Sequence, residues 1–211
     1  MRIAIIGTGN VGGAIAKGLK GKGHQVILGV RNPSAPDSSE LAKQTGSSLA
    51  SPAEAAAKSE LIIFALPWAA AEDAIKSLGN LSDKIVIDCM NPLGMVNGAL
   101  GLTIGHTTSA GEMVQSWLPN AKVVKTLNQV GAEMMANNSK LSLRPVMFMA
   151  GNDEASKISV GQILKDLGFD ALDAGDLTKA RILEPFAMVW INQALFRGKG
   201  RNWAFAAASE K

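Results

Sequence analysis

Apolar positions along this chain gather into short runs separated by turns rich in glycine, proline and small polar residues. Arg2–Ile6 (RIAII), Gln25–Val30 (QVILGV), Glu60–Ala65 (ELIIFA) and Lys84–Asp88 (KIVID) are β-branched runs of strand length. Their apolar residues are nearly consecutive, as strands buried on both faces require. Between them the spacing turns helical, over Ala14–Leu19, over Asp37–Thr45 with Asp37 or Ser38 as cap, and over Ala69–Leu78. An alanine-rich helix opens at Ser51-Pro52, with proline where the first turn tolerates it, and runs through Lys58; Ser48–Ala50 reads as a brief strand. The second half keeps the rhythm. Ser109–Leu118 predicts a helix, Lys122–Thr126 and Arg144–Ala150 strands, Asp153–Leu167 a long helix and Asp170–Ala174 a last strand. Leu177 to about Phe196 predicts a final helix interrupted at Pro185. Gly94–Gly105 carries four glycines and little periodicity, and reads as a loop.

Strands alternating with helices at this spacing predict right-handed βαβ units. The expected architecture is α/β, a doubly wound, mostly parallel sheet in one domain over residues 1–211 with a C-terminal helix. No repeat, low-complexity segment or linker interrupts it. The basic, glycine-punctuated stretch Arg197–Lys211 either packs on a partner subunit or closes a pocket, or is a loosely held terminus.

The first strand runs straight into Gly7-Thr8-Gly9-Asn10-Val11-Gly12 and then into a helix. Strand, glycine turn and helix in that order give the G-x-G-x-x-G pattern its meaning. Gly7 permits the tight turn, Gly9 lets the backbone approach a pyrophosphate, and Gly12 lets helix and strand pack closely. The phosphates of a dinucleotide would then rest on free N–H groups at the positive helix end. The expected fold is therefore Rossmann-like. Which dinucleotide is decided where the second strand ends. An acid there favours a 2′-hydroxyl, whereas an arginine accommodates a 2′-phosphate. Here the strand ends Gly29-Val30-Arg31, with Arg31 lying 24 residues beyond Gly7 and no acid beside it. Arg31 is suited to pair with phosphate and stack on adenine, with Thr8 and Asn32 adding hydrogen bonds. The expected cofactor is NADP(H).

Composition trims the alternatives. The chain has 211 residues, 47% hydrophobic and 18% charged, with a formal net charge of +3. That charge is too slight to argue for nucleic acid, and no nucleic-acid motif is visible. No apolar run approaches the ~20 residues of a membrane span, and with Met1 leading into a strand no signal peptide is expected. The lone Cys89 excludes an internal disulfide and suits a cytoplasmic protein. His24, His106 and Cys89 form no metal cluster at recognisable spacing.

Further ligand contacts are expected from the other strand exits along the carboxyl edge. Leu66-Pro67-Trp68 and Asn91-Pro92 stand there, each with a proline fit to wall a flat ring. Trp68 either shields the cofactor or starts the following helix and buries itself. Asn128, in the TLNQVG exit of the sixth strand, is placed to hold a nicotinamide carboxamide. Lys125 is the one acid or base in that neighbourhood, and strand alternation points it away from Thr126's face. His106 reads as a solvated loop residue, Cys89 as core, and Met134, Met135, Met147 and Met149 as packing, the first two also placed to line a ring pocket. No catalytic residue is assigned. Alcohol and hydroxy-acid dehydrogenases need a proton donor and acceptor beside the reacting carbon. Hydride transfer between two bound rings needs chiefly positioning.

At this level of detail the chain resembles the coenzyme F420-dependent NADP oxidoreductases and the related reductase domain of the STEAP metalloreductases. The similarity runs through IIGTGNVGGAIAKGL, VILGVRNP, SELIIFALPW and KIVIDCMNPL, and on through SAGEMVQSWLPNAKVVKTLN, VMFMAGND and LGFDALDAGDLTKARILEPF. The resemblance implies NADP(H) lying across Gly7–Gly12, Arg31, Leu66-Pro67, Asn91-Pro92 and Asn128. It also implies hydride passing to a flavin-like ring, F420 or a flavin. The deazaflavin enzymes tend to set a serine before this arginine and a lysine shortly after it. Here Val30 and Asn32–Ala35 stand there, which implies a weaker NADP preference. The haem-holding membrane domain of the STEAP proteins has no counterpart in this sequence, so iron reduction gains no support. The expected partner is a small acceptor with a flat ring, with a homodimer as a further expectation. Two alternatives stand beside it, a small-substrate dehydrogenase of the β-hydroxyacid or pyrroline-carboxylate type and a non-catalytic NADP-binding sensor. The first counts against itself here, since its relatives append a helical domain and this sequence has room for one long helix.

Overall fold

The computed structural model describes residues 1–208 and Glu210. Its first half follows the predicted alternation closely: β1 (Arg2–Ile6), α1 (Asn10–Leu19), β2 (Gln25–Gly29), α2 (Pro36–Thr45), β3 (Ser48–Ala50), α3 (Pro52–Lys58), β4 (Leu61–Phe64) and β5 (Ile85–Asp88). Between β4 and β5 the expected Ala69–Leu78 helix is shorter, a 3₁₀ turn at Trp68–Ala70 followed by α4 (Ala71–Lys76). The later elements are β6 (Leu93–Val96), β7 (Ala99–Leu102), α5 (Ala110–Trp117), β8 (Lys122–Lys125), α6 (Ala132–Ala136), β9 (Val146–Gly151), α7 (Glu154–Asp166), β10 (Asp170–Gly175) and α8 (Ala180–Ile191).

Eight strands form one sheet in the order β10-β9-β8-β5-β4-β1-β2-β3. Every neighbouring pair is parallel except β8 with β9, which is antiparallel at Val124↔Gly151 and Lys125↔Ala150. The sheet is buried on both faces because its strands are apolar at both parities. Ile3, Ile5, Leu61 and Ile63 join α1 and α7 on one side; Ala4, Ile6, Ile62 and Phe64 join α3, α4 and α5 on the other. Strand order reverses between β1 and β4, so a crevice opens at the carboxyl edge where β1, β4 and β5 end.

Three expectations are corrected. Gly94–Gly105 is not a plain loop, because β6 and β7 form an antiparallel hairpin across it. Its two turn residues, Asn97 (φ 51°) and Gly98 (φ 79°), both take positive φ, as a tight hairpin turn matched to strand twist requires. Pro185 does not interrupt the last helix. A 3₁₀ turn at Leu177–Lys179 leads into α8, which runs through Pro185 and ends in a π-helical turn, Asn192–Phe196. The burial of Leu183, Ala187 and Trp190 offsets the missing N–H. The third concerns Met134 and Met135, which lie on a short helix, α6. Both belong to the core against α1, and Met134 also borders a surface cavity with Glu133, Asn137 and Leu141. Of the terminal stretch, Ser209 and Lys211 lie outside the described residues. Arg201–Phe205 is held down: Phe205 O accepts from Val146 N at 2.9 Å, Trp203 O from Trp190 Nε1 at 3.0 Å, and Arg201 pairs with Glu133 at 2.7 Å.

Candidate functional site

The glycine turn after β1 divides its three glycines by role. Gly7 sits at φ +98°, and a Cβ there would lie 2.3 Å from Ala65 O; one on Gly12 would lie 1.9 Å from Gly7 O. Both are demanded by the fold. Gly9 has ordinary negative φ, and a Cβ there would meet nothing within 4 Å. The fold does not need that glycine, whereas close approach of a pyrophosphate does. No side chain caps α1 and its first turn carries no acid, so the amides of Asn10, Val11 and Gly12 keep the positive end of the helix open toward Thr8 and Gly9. Arg31 and Asn32 stand exposed at the β2 exit. Asn32 Oδ1 accepts from Ser34 N at 3.1 Å and turns the chain toward α2, and among the described residues Arg31 forms no ion pair.

At the β4 exit Leu66 is half-buried and Pro67 exposed. Trp68 opens the 3₁₀ turn and stacks on Trp117 of α5, centroids 5.4 Å apart and planes 23° apart. Of its two readings, the second describes its contacts, although the ring stays partly exposed. Asn91 and Asn128 meet across the β5 and β8 exits. Asn91 Nδ2 donates to Asn128 O at 2.9 Å, and Asn128 Nδ2 donates to Asn91 Oδ1 at 3.0 Å. Asn128 Nδ2 also reaches Leu183 O at 3.1 Å, while its Oδ1 accepts from Gln129 Nε2 at 2.9 Å. Its side chain is therefore engaged on both atoms, as a buckle holding Asn91 rather than a free hook for a carboxamide. Gln129 bonds both Phe148 N and Phe148 O, acting as a short stretch of strand. Just before Asn128, Leu127 is fully buried at φ 57°, a strained conformation for a leucine, flanked by the bonds of Thr126, Asn128 and Gln129.

Lys125 and Thr126 take different partners, Thr126 Oγ1 donating to Phe148 O at 2.8 Å, while Lys125 enters a site the sequence did not announce. It is wholly buried with Asp88 at 3.0 Å and Glu184 at 2.9 Å, and also donates to Met90 O. Burial works against its charge, and the two carboxylates outweigh burial, holding the ammonium's pKa above the usual lysine range. Asp88 Oδ1 accepts from Met90 N at 2.8 Å; Glu184 accepts from Ala110 N and Gly111 N at the start of α5, each at 3.1 Å. A carboxylate closing a buried strand and another in an apolar helix were the available signals, since neither is buried without partners. Burial pushes the Cys89 thiol up, so it is inert core. His106 is exposed in its turn. Among the described residues no cluster of three or more metal-ligating side chains occurs, and no helix is long and apolar enough to cross a membrane.

A family profile described as "NADP oxidoreductase coenzyme F420-dependent" matches residues 2–92. The F420-dependent NADP reductase of Methanocaldococcus jannaschii is 30% identical, the alignment covering 95% of this chain and 96% of that protein. The chain belongs to the F420-dependent NADP oxidoreductase family. A solved structure from Arthrobacter sp. FB24, described as a candidate F420-dependent NADP-reductase, superposes with a TM-score of 0.90 at 36% identity, covering 99% of this chain and 100% of that one. Metalloreductase STEAP3 of Rattus norvegicus is 28% identical over 87% of this chain but only 36% of its own length, so the chain spans about a third of that protein. An Aspergillus terreus reductive aminase in complex with NADPH shares the fold of this family member (TM-score 0.68, 21% identity, 93% of this chain and 63% of that one). As a member of this NADP-dependent oxidoreductase family, the chain has strand exits whose residues fit the expected cofactor: an open helix end, a glycine with room beside it and an exposed arginine at the β2 exit that forms no ion pair among the described residues.

Proposed function

We propose that this chain is an NADP(H)-dependent reductase passing hydride between NADP(H) and a flat ring acceptor, F420 or a flavin. In this reading the amides of Thr8, Gly9, Asn10, Val11 and Gly12 bind the pyrophosphate, and Arg31 with Asn32 takes the 2′-phosphate. Leu66, Pro67, Trp68, Asn91 and Pro92 wall the nicotinamide side, with Asn128 setting Asn91. NADPH supplies the hydride when bound; the chain supplies position and a dry wall. The observation that carries the reading is the chemistry of the strand exits. The one lysine near them is sealed at 0% exposure in an ion triad, and the exits otherwise offer proline, tryptophan and paired asparagines. Reduction of a carbonyl or imine calls for a proton donor at that edge, whereas transfer to a second ring does not.

The test is an acceptor screen under NADPH that includes F420, FMN, FAD and riboflavin beside imines and ketones. Turnover of F420 or a flavin is expected, with little pH dependence near neutrality. Turnover confined to imines or ketones would favour the small-substrate dehydrogenase, and tight binding without turnover the sensor. We further propose a homodimer through α8, whose Ile182 (60% exposed) and Val189 (50%) lie seven residues apart on one outer face, continued by Leu195 and Phe196. Val189→Glu is expected to give a monomer by sedimentation.

A further inference from the structure

Asp88 and Lys125 are register partners at the carboxyl ends of neighbouring parallel strands, so their side chains leave the sheet on the same face. Between them they grip one peptide unit on each side of Met90, Asp88 taking its N–H and Lys125 its C=O. Glu184 brings α8 to the same ammonium, and α5 is brought by the two amides that Glu184 accepts. Gly111 is tight there: a Cβ would lie 3.2 Å from the Ala180 methyl and 3.5 Å from Lys125 Cδ. One cation against two carboxylates leaves a net negative charge, and the positive end of α5 faces it. From Met90 the circuit continues through Asn91 to Asn128, and from Asn128 to Leu183, the residue before Glu184. Asp88, Met90, Asn91, Asn128, α8 and Lys125 therefore form a closed loop of polar contacts, buried or half-buried throughout. Asn91, the half-buried member of the loop, leads directly into the buried Pro92 at the β5 exit.

We propose that the Lys125–Asp88–Glu184 triad is a positioning device for the nicotinamide half of NADP(H), fixing the Asn91-Pro92 wall against α8 without touching the ligand. The inference rests on the proposed cofactor site. Its consequence separates the two halves of the dinucleotide. The adenosine half is met by Gly9 in the turn after β1, Asn10 at the start of α1 and Arg31 just beyond β2, none of which the triad contacts. Loosening the triad shifts the wall and spares the other end.

The experiment compares 2′,5′-ADP, which has no nicotinamide, with NADPH on the unmutated chain, Lys125→Met and Glu184→Gln. Binding is followed by calorimetry, and the nicotinamide environment by the emission of bound NADPH. The expected result is 2′,5′-ADP affinity within about twofold of the unmutated chain, NADPH affinity lowered about tenfold, and emission moved toward that of free NADPH. Glu184→Gln is the same size and keeps an acceptor for Gly111, so it decides the matter should Lys125→Met fail to fold. Equal losses for both ligands would assign the triad a general structural role and overturn the proposal, as would no loss for either. An unmutated chain that binds neither ligand would sink the cofactor site itself. Failure to reduce any ring acceptor would bear only on the acceptor.

Discussion

Gly9 and Gly12 are three residues apart and answer to different demands. A methyl on Gly12 would collide with Gly7 O at 1.9 Å, whereas one on Gly9 enters open space. Gly12→Ala is therefore expected to cost stability at the upper end of overpacking, about 3 kcal/mol. Gly9→Ala should change stability by less than about 1 kcal/mol, the scale of a helix-cap substitution, yet weaken NADP(H) binding at least tenfold. Thermal melting beside nucleotide titration checks both; equal melting losses in the two variants would remove the ligand reading of Gly9. Arg31 makes the companion case. A charge-assisted contact to the 2′-phosphate is worth about 1.5–3 kcal/mol and less at an exposed site. Arg31→Ala should weaken NADPH about tenfold and leave NADH unchanged, and equal affinities for the two nucleotides in the unmutated chain would sink the assignment.

Among the elements, α5 is held by its first turn. Ser109 caps it, Glu184 takes two of its amides, and Glu112 forms a two-pronged pair with Arg181 of α8 at 2.6 and 2.9 Å. That pair holds the Glu112 carboxyl below the usual carboxylate range. A depressed folded value means its stabilisation is present above the unfolded pKa of about 4.3 and is lost as pH falls through the lower folded one. Melting followed from about pH 6 to pH 3 should show Arg181→Met converging on the unmutated chain at the acid end; parallel curves would show the pair to be idle. Glu112 and Arg181 are 69 residues apart, and their meeting depends on which way the chain returns. The strands were legible because β1, β4 and β5 are apolar at both parities, and the glycine turn because its order with strand and helix is local. The hairpin was legible too, in Asn97-Gly98, but four glycines blurred the alternation on either side. The reversal of β9 left no mark, since a strand's residues do not encode the direction of its neighbour. The helix around Pro185 was legible, but not which strand it packs on, so Glu184 had no partner in view.

At the scale of the whole molecule, Lys125 joins the sheet to α8 and, through Glu184, to α5. Its removal leaves two buried carboxylates facing each other without a cation. Lys125→Met is accordingly expected to cost about 3–5 kcal/mol, a large share of the roughly 5–15 kcal/mol that holds a domain folded. Urea denaturation should show a lower midpoint at unchanged slope. Adding Glu184→Gln removes one of the stranded charges, so the double variant should be more stable than the sum of the two single losses implies. Groups in one network couple in this way, and independent sites do not; simple additivity would mean that the three charges do not act together. The pH dependence has a fixed sign. Asp88 and Glu184 hold the Lys125 ammonium above its usual pKa against the effect of burial. A raised folded value means the contribution is complete below the unfolded pKa of about 10.4 and is lost as pH rises through the folded one. Between neutrality and the alkaline limit the unmutated chain should therefore lose more stability than Lys125→Met does, and the gap between them should narrow. A gap that widens with pH would show the lysine to be buried uncharged.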